Sequence, residues 1–226
     1  MSQPIAEDRD LSKTERVYEA LRRRIRELTL APGAPLRKEE IALELGVSRA
    51  PVSDAISRLA EEGLIDVFPQ HGSFVAIIRA TDVRESLFVR IALEVEAMRQ
   101  LAAVADAAVL RVLDNNLAAQ AEALERKNLE KFYDLDEALH AAIFGAIAKP
   151  RALRLLEAAR APLDRVRRLA LPEAGRPEQT LAEHRSLVDA IRSGDSEYAA
   201  AAMRHHLTMV GQAIERKLPE IEATRE

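Results

Sequence analysis

Apolar residues near the start of the chain recur at intervals of three and four positions, which predicts an amphipathic helix over Thr14–Leu30. Its apolar face is formed by Val17, Leu21, Ile25 and Leu28. The stretch 31–35 contains two prolines and a glycine and ends this helix. A short second helix is predicted over Lys38–Leu45, with Gly46 placed to end it. The chain therefore opens with two helices and an irregular connection.

A third helix and the one convincing strand pair follow. Ser48 can cap the third helix, which is expected to run to about Glu62. Apolar, β-branched and aromatic residues predict strands over 64–68 and 73–78. The turn 69–72 between them carries a glycine where a positive φ is expected. Three helices followed by a hairpin are the plan of a winged helix-turn-helix.

Beyond Thr81 the strand pattern is lost and the periodicity is helical. Six helices are predicted, at about 81–104, 106–127, 129–148, 150–170, 177–193 and 195–217. We place the domain boundary near residue 79. The fold class is therefore mainly α, with a winged helix-turn-helix domain over 11–78 and an all-helical bundle over 80–218.

Composition supports a helical chain in a reducing compartment. Glycine and proline number only 8 and 10 in 226 residues, which argues against a fold with many tight turns. The absence of cysteine excludes disulfides, thiolate zinc sites and cysteine nucleophiles, and it suits the cytoplasm. No apolar run is long enough to suggest a membrane span. The net charge of −4 argues only weakly against a nucleic-acid partner, because local charge governs phosphate binding.

Small, polar and basic residues cluster toward the start of the third helix, whose apolar residues lie on the opposite face. The candidate DNA contacts on this helix are Ser48, Arg49, Ala50, Ser53 and Ser57. A helix N-terminus presents backbone N–H groups to phosphate, and Arg49 can reach a base edge or a phosphate. The candidate wing tip consists of Gln70, His71 and Gly72. A winged helix that binds another protein is the alternative interpretation.

Histidine placement is the informative feature of the helical part. Asp136 and His140 are four residues apart on one predicted helix, so both point the same way. His184 and His206 lie on two other predicted helices. Convergence of these four residues would suit zinc or another first-row divalent ion such as nickel or manganese. Spacing alone leaves open the alternative of hydrogen-bonded core histidines, and His205 is expected to face solvent or to support the site from outside.

The segment from Pro32 to Ile65, followed by Gln70–Val75, resembles the N-terminal domain of the GntR family of bacterial transcription regulators. The shared marks are a Gly-Val-Ser-Arg-x-Pro-Val core, a Glu-Gly-Leu exit and a His-Gly wing tip. The resemblance implies operator binding by a homodimer, with Arg49 and the wing as contacts. Ser53 departs from the family, which usually has arginine there. Two basic residues are placed to compensate: Arg37 and Lys38.

The helical part resembles the FCD domain of the FadR subfamily of GntR regulators. The segments that carry this resemblance are 88–103, 136–140, 183–185 and 202–207. It implies a metal held by Asp136, His140, His184 and His206. It also implies that Arg90 faces an effector cavity, where a small organic acid could bridge the metal and the guanidinium. The alternative for Arg90 is a surface salt bridge with Glu94, four residues on.

These features favour a ligand-responsive, sequence-specific DNA-binding transcription regulator rather than an enzyme. The expected arrangement is a repressor that a small carboxylate releases from its operator. Two alternatives stay open at this level. In the first, the ion itself is the signal. In the second, which is less favoured because no motif supplies a general base, the histidines and the carboxylate activate water in a metal-dependent hydrolase.

Overall fold

The computed structural model describes residues 11–170 and 175–223. Within these ranges it contains ten α-helices and a three-stranded sheet. The helices are α1 Lys13–Arg26, α2 Lys38–Leu45, α3 Arg49–Glu61, α4 Ala80–Val104, α5 Ala107–Glu125, α6 Leu129–Ala146, α7 Pro150–Ala159, α8 Ala161–Ala170, α9 Arg176–Arg192 and α10 Ser196–Ala223. The strands are β1 Pro35–Leu36, β2 Ile65–Phe68 and β3 Gly72–Val75. The chain divides into two compact units after Asp82.

In the first unit, α1 and α3 pack together through their apolar faces. Val17, Leu21 and Ile25 are fully buried, as their spacing predicts. The prediction that α1 extends to Leu30 is wrong, because the helix ends at Arg26 and Leu28 adopts a left-handed conformation with φ of 61°. A residue in that region ends a right-handed helix. Leu28 is consequently only half-buried.

The sheet of the first unit has the antiparallel order β1-β3-β2. The hairpin is confirmed, and Gly72 has the expected positive φ, at 104°. The predicted strand 73–78 is too long, because β2 begins at Ile65, opposite Val75, and the ladder ends there. The sequence pattern gave no sign of β1, which is two residues long and begins with proline.

The second unit is entirely helical in its described part, with seven helices where six were predicted. The predicted helix 150–170 is two helices, which meet at Arg160. Pro162 explains the break, because it has no N–H to donate and its ring crowds the carbonyl four residues earlier. The last helix continues past the predicted end at 217 to Ala223.

The hydrophobic core of the second unit is aliphatic and includes α4, α6, α9 and α10. Met98, Leu101, Phe144 and Met203 are among its buried side chains. Polar and charged side chains are buried beside this core, among them Arg90 and Asp136. None of the described helices is long and apolar enough to cross a lipid bilayer. The burial of these polar and charged side chains is the feature of this unit that the hydrophobic effect does not explain.

Candidate metal centre and nucleic-acid interface

Three histidines from three different helices meet in the interior of the second unit. His140 lies on α6, His184 on α9 and His206 on α10, and all three are buried. One ring nitrogen of each lies within 4.8 Å of those of the other two. The ring centroids of His184 and His206 are 4.9 Å apart. The convergence that sequence spacing left open is therefore present in the structure.

Hydrogen-bond acceptors orient two of these imidazoles through Nδ1. His184 Nδ1–H donates to Gln120 Oε1 over 2.8 Å, and His206 Nδ1–H donates to Glu183 Oε2 over 2.7 Å. A carboxylate or amide oxygen cannot donate here, so the proton sits on Nδ1 and Nε2 carries a lone pair. Metal-binding histidines are held in this way.

The third imidazole also has a carboxylate oxygen beside Nδ1, and that carboxylate forms an ion pair with an arginine. His140 Nδ1 lies against Glu94 Oε2. Arg90 Nε donates to Glu94 Oε1 over 2.6 Å, and both side chains are buried. Burial raises the pKa of Glu94, but Arg90 and His140 outweigh it and hold that pKa below its usual range. The predicted alternative of a salt bridge between Arg90 and Glu94 is thus present, but it is buried rather than on the surface.

The Nε2 atoms of two of these histidines are available as metal ligands. Within the described ranges, neither His140 Nε2 nor His184 Nε2 has a hydrogen-bond partner, although both are buried. Burial lowers the pKa of His184 well below its ordinary value and that of His206 to about 4. These two imidazoles are therefore neutral at physiological pH, as metal ligation requires. This donor set fits a divalent cation.

Asp136 adds a carboxylate to the cluster. Its Oδ1 lies 3.4 Å from His184 Nε2 and accepts a hydrogen bond of 2.6 Å from Arg167 Nη2. Its Oδ2 is buried and has no partner among the described residues. Burial raises the pKa of Asp136, but the positive charge of Arg167 and its hydrogen bond to the carboxylate lower that pKa well below its usual range. Asp136 thus lies beside His184, whereas the group whose ligand atoms all lie within 4.8 Å of one another consists of the three histidines.

Sequence reasoning missed the groups that hold the ligands in place. Gln120 on α5 and Arg167 on α8 gave no signal, because each lies far along the chain from the residue it contacts. Glu183 was visible only as the neighbour of His184. His205 is exposed, so of its two predicted positions it takes the one that faces solvent.

In the first unit, the start of α3 is exposed as predicted. Gly46 ends α2 in a left-handed conformation with φ of 64°. Ser48, Arg49, Ala50 and Ser57 are exposed, and Ser53 is half-buried. Ser48 takes the N-cap position, but its hydroxyl makes no capping hydrogen bond. The first-turn amides of α3 are thus not capped by the predicted serine.

The basic residues predicted to contact DNA are paired with acids on α2. Arg49 Nη1 lies 3.3 Å from Glu39 Oε1, and both side chains are largely exposed. Arg37 forms a similar pair with Glu40, over 2.8 Å, while Lys38 is half-buried. Exposed pairs of this kind contribute little stability because water screens the charges, so phosphate can displace the acids.

The wing tip is exposed and its backbone is constrained. Gln70, His71 and Gly72 are all exposed at the hairpin turn. Gln70 has φ of 63°, a left-handed conformation that was not predicted for a residue with a side chain. His71 Nδ1 lies 3.0 Å from the carbonyl oxygen of Pro69, which fixes the ring against the turn.

Comparison with known proteins gives a family for each part of the chain. The model of the bacterial regulatory proteins of the gntR family matches residues 13–75, and that of the FCD domain matches residues 85–209. An HTH-type transcriptional regulator in an unstable DNA locus of Streptomyces ambofaciens is 40% identical over 211 residues, covering 92% of this chain and 89% of that protein. The HTH-type transcriptional repressor RspR of Escherichia coli is 34% identical over 200 residues, covering 88% of each.

A solved structure, Escherichia coli McbR/YncC, shares the fold with a TM-score of 0.81 at 21% identity, covering 92% of this chain and 99% of that chain. The relatives are named as transcriptional regulators or repressors, which gives no support to the hydrolase alternative. A non-enzymatic, DNA-binding transcription regulator accounts for both matched parts. The chain belongs to the gntR family of bacterial regulatory proteins and carries an FCD domain after its helix-turn-helix unit.

Proposed function

We propose that this protein is a FadR-type repressor that binds operator DNA as a homodimer and releases it when a small organic acid binds beside a divalent metal ion. The winged helix-turn-helix domain spans 11–78 and the effector domain 80–218. Because the target is chromosomal DNA, we place the protein in the cytoplasm. The observation that carries the proposal is the buried convergence of His140, His184 and His206, each with Nδ1 against an acceptor.

Asp136 and the three histidines would hold the ion. Nitrogen and oxygen ligands of this kind suit zinc best, and nickel or manganese also accept them. A bound divalent ion supplies a Lewis-acidic position for a carboxylate oxygen. Glu94, Gln120 and Glu183 keep the imidazoles aimed inward, which reduces the ordering that metal binding requires.

Arg90 is placed to orient the effector. It is fully buried, and its Nη1 has no partner in the part of the chain that the structure describes. A guanidinium whose Nε already binds Glu94 still offers this N–H to a carboxylate. The acid would therefore contact Arg90 at one side of the histidine cluster.

The helix-turn-helix unit contacts the DNA duplex through the start of α3 and through the wing. Arg49 supplies a positive charge, Ser48 and Ser57 supply hydroxyls, and Gln70 and His71 reach the backbone or the minor groove. In a dimer, two such units must match the spacing of two half-sites. An effector that favours a different spacing lowers operator affinity in proportion to its preference for that state.

DNA binding is tested by fluorescence anisotropy with a labelled duplex from upstream of the protein's own gene. The zinc-loaded protein should bind at low ionic strength, and one or more of a panel of small carboxylic acids should weaken that binding. His140→Ala should retain DNA binding but lose the response to the acid. Failure to bind the duplex, or an unchanged acid response in His140→Ala, would contradict the proposal.

A second candidate is a regulator for which the ion itself is the signal. Side chains of the protein itself orient the three imidazoles, which favours metal binding without a co-ligand. Comparing operator affinity of EDTA-treated and zinc-loaded protein, with no acid added, separates the two. A large difference in operator affinity between these samples supports the hypothesis that the ion is the signal, and equal affinity contradicts that hypothesis.

A further inference from the structure

Two buried hydrogen-bond donors near the histidine cluster have no acceptor. They are Arg90 Nη1 and the hydroxyl of Tyr133, and neither has a partner among residues 11–170 and 175–223. Arg90 is 0% exposed and Tyr133 7%. Leaving a buried donor without an acceptor is costly, so both positions call for an acceptor that the described residues do not supply.

The two donors lie near different members of the cluster formed by the three histidines and Asp136. Arg90 is joined to His140 through Glu94, and its charge also acts on His206. Tyr133 lies one turn before Asp136 on α6, and the charges of Asp136 and Arg167 act on it.

Along α6, Tyr133, Asp136 and His140 share one face, because they are spaced by three and four residues. About 10 Å of helix separates the first of these residues from the last. Because Arg90 is linked to His140 at one end of this face and Tyr133 lies at the other end, a ligand that satisfies both donors must extend along the face past Asp136 and carry an acceptor near each end.

Charge around the site gives a second, independent constraint. Four buried arginines are balanced one for one by carboxylates, in the pairs Arg90–Glu94, Arg160–Asp164, Arg167–Asp136 and Arg176–Glu183. The buried Arg165 and the half-buried Glu137 add one further charge of each sign. Histidines that ligate a metal are neutral. A divalent ion therefore brings two positive charges that the protein does not compensate, and burying such charges is costly.

We infer that the effector is an extended dicarboxylate, with one carboxylate at Arg90 and the metal position and the other accepting a hydrogen bond from the Tyr133 hydroxyl. This inference rests on the proposed function and narrows its effector class. The pKa of Tyr133 is raised to about 12, mainly by burial, so the phenol keeps its proton and donates at physiological pH. Tyr133 becomes the residue that distinguishes a dicarboxylate from a monocarboxylate.

The test is isothermal titration of the zinc-loaded, full-length protein with matched acids. Succinate and glutarate are the dicarboxylate probes, and butyrate and valerate are monocarboxylates of the same chain lengths. A hydrogen bond to a charged acceptor should make the better dicarboxylate bind about tenfold tighter than its matched monocarboxylate. Tyr133→Phe should remove most of that preference and leave monocarboxylate affinity unchanged.

Tyr133→Phe keeps the ring and deletes only a hydroxyl that is buried without an acceptor, so it should fold and retain stoichiometric zinc. Tyr198→Phe, at an exposed position on α10, is the matched control and should behave as the unaltered protein does. Equal affinity for the matched acids, or a preference that survives Tyr133→Phe, overturns the inference while acid sensing stands. If neither class of acid binds, both the inference and acid sensing are overturned.

Discussion

At the scale of single residues, the metal centre depends on where each histidine carries its proton. Glu94, Gln120 and Glu183 each take the Nδ1 side of one imidazole, so the free lone pairs lie on Nε2. A buried histidine that only filled space would need an acceptor or a donor at both nitrogens. The orphaned Nε2 atoms are therefore what separates this cluster from ordinary core histidines.

The neighbouring histidines on α10 provide a matched pair of variants. His206→Ala removes a buried ligand, and zinc affinity should fall by more than the roughly 10–100-fold loss typical when only an outer partner of a ligand is removed. His205→Ala changes an exposed residue one position away and should keep one zinc per chain. Metal content measured by plasma mass spectrometry after desalting checks both; stoichiometric zinc in His206→Ala would contradict the ligand assignment.

The buried histidines also predict how the stability of metal-free protein depends on pH. Burial lowers the pKa of His206 from 6.5 to about 4, so between these values the unfolded chain binds more protons than the folded one. Stability is therefore fully present above about pH 6.5 and falls as the pH drops toward 4. His184 acts in the same direction.

For EDTA-treated protein, His206 alone should lower the free energy of unfolding by about 2 kcal/mol between about pH 7 and about pH 5. Urea titrations at the two pH values measure this loss. In His206→Gln, which has no titrating group at this position, the loss should be smaller by that amount. An equal loss in both proteins would show that His206 is not buried in the neutral form.

At the scale of elements, periodicity predicted most helices and the hairpin but not their supporting contacts. The histidine-bearing helices α6, α9 and α10 follow from the spacing of their apolar residues. The division of 150–170 into α7 and α8 was missed because the helical pattern continues on both sides of Pro162, where the helix breaks. β1 was missed because two residues carry no periodicity, and the link between Gln120 and His184 joins positions 64 apart.

The start of α3 yields a prediction about DNA binding. Arg49→Ala removes an exposed charge that pairs with Glu39, so it should weaken operator binding. The slope of the logarithm of the binding constant against the logarithm of the salt concentration should become shallower by about 1. Arg126→Ala removes the same charge from an exposed position on the helical unit and should leave both quantities unchanged. Anisotropy titrations over a range of salt concentrations measure the slope. Equal slopes for the two variants would place recognition elsewhere on the helix-turn-helix unit.

At the scale of the whole molecule, the chain consists of two units with different sources of stability. The first has a compact core between α1, α3 and the sheet, and all of its candidate ligands are macromolecular. The second buries charged groups and three histidines whose arrangement could hold a cation. Composition indicated a mostly helical chain, but only the structure shows that His140 Nε2 and His184 Nε2 are buried without a hydrogen-bond partner among the described residues.

Zinc should therefore stabilise one unit and not the other. At a free zinc concentration of 100 times the dissociation constant, the second unit should gain about 2.7 kcal/mol. Differential scanning calorimetry of EDTA-treated and zinc-loaded protein should show one transition that moves to higher temperature and one that stays. His206→Ala should show no shift in either transition, and a shift of both in the unaltered protein would contradict independent units.

The uncapped start of α3 has a consequence for how the protein meets its target. Ser48 stands at the N-cap position without bonding to the first turn, so the amides there are left for an outside acceptor. A phosphate oxygen of the duplex is such an acceptor. A phosphate of the operator would thus supply the capping acceptor that Ser48 does not supply to α3. Amide hydrogens at the start of α3 should accordingly exchange rapidly in the free protein and become protected once DNA is bound.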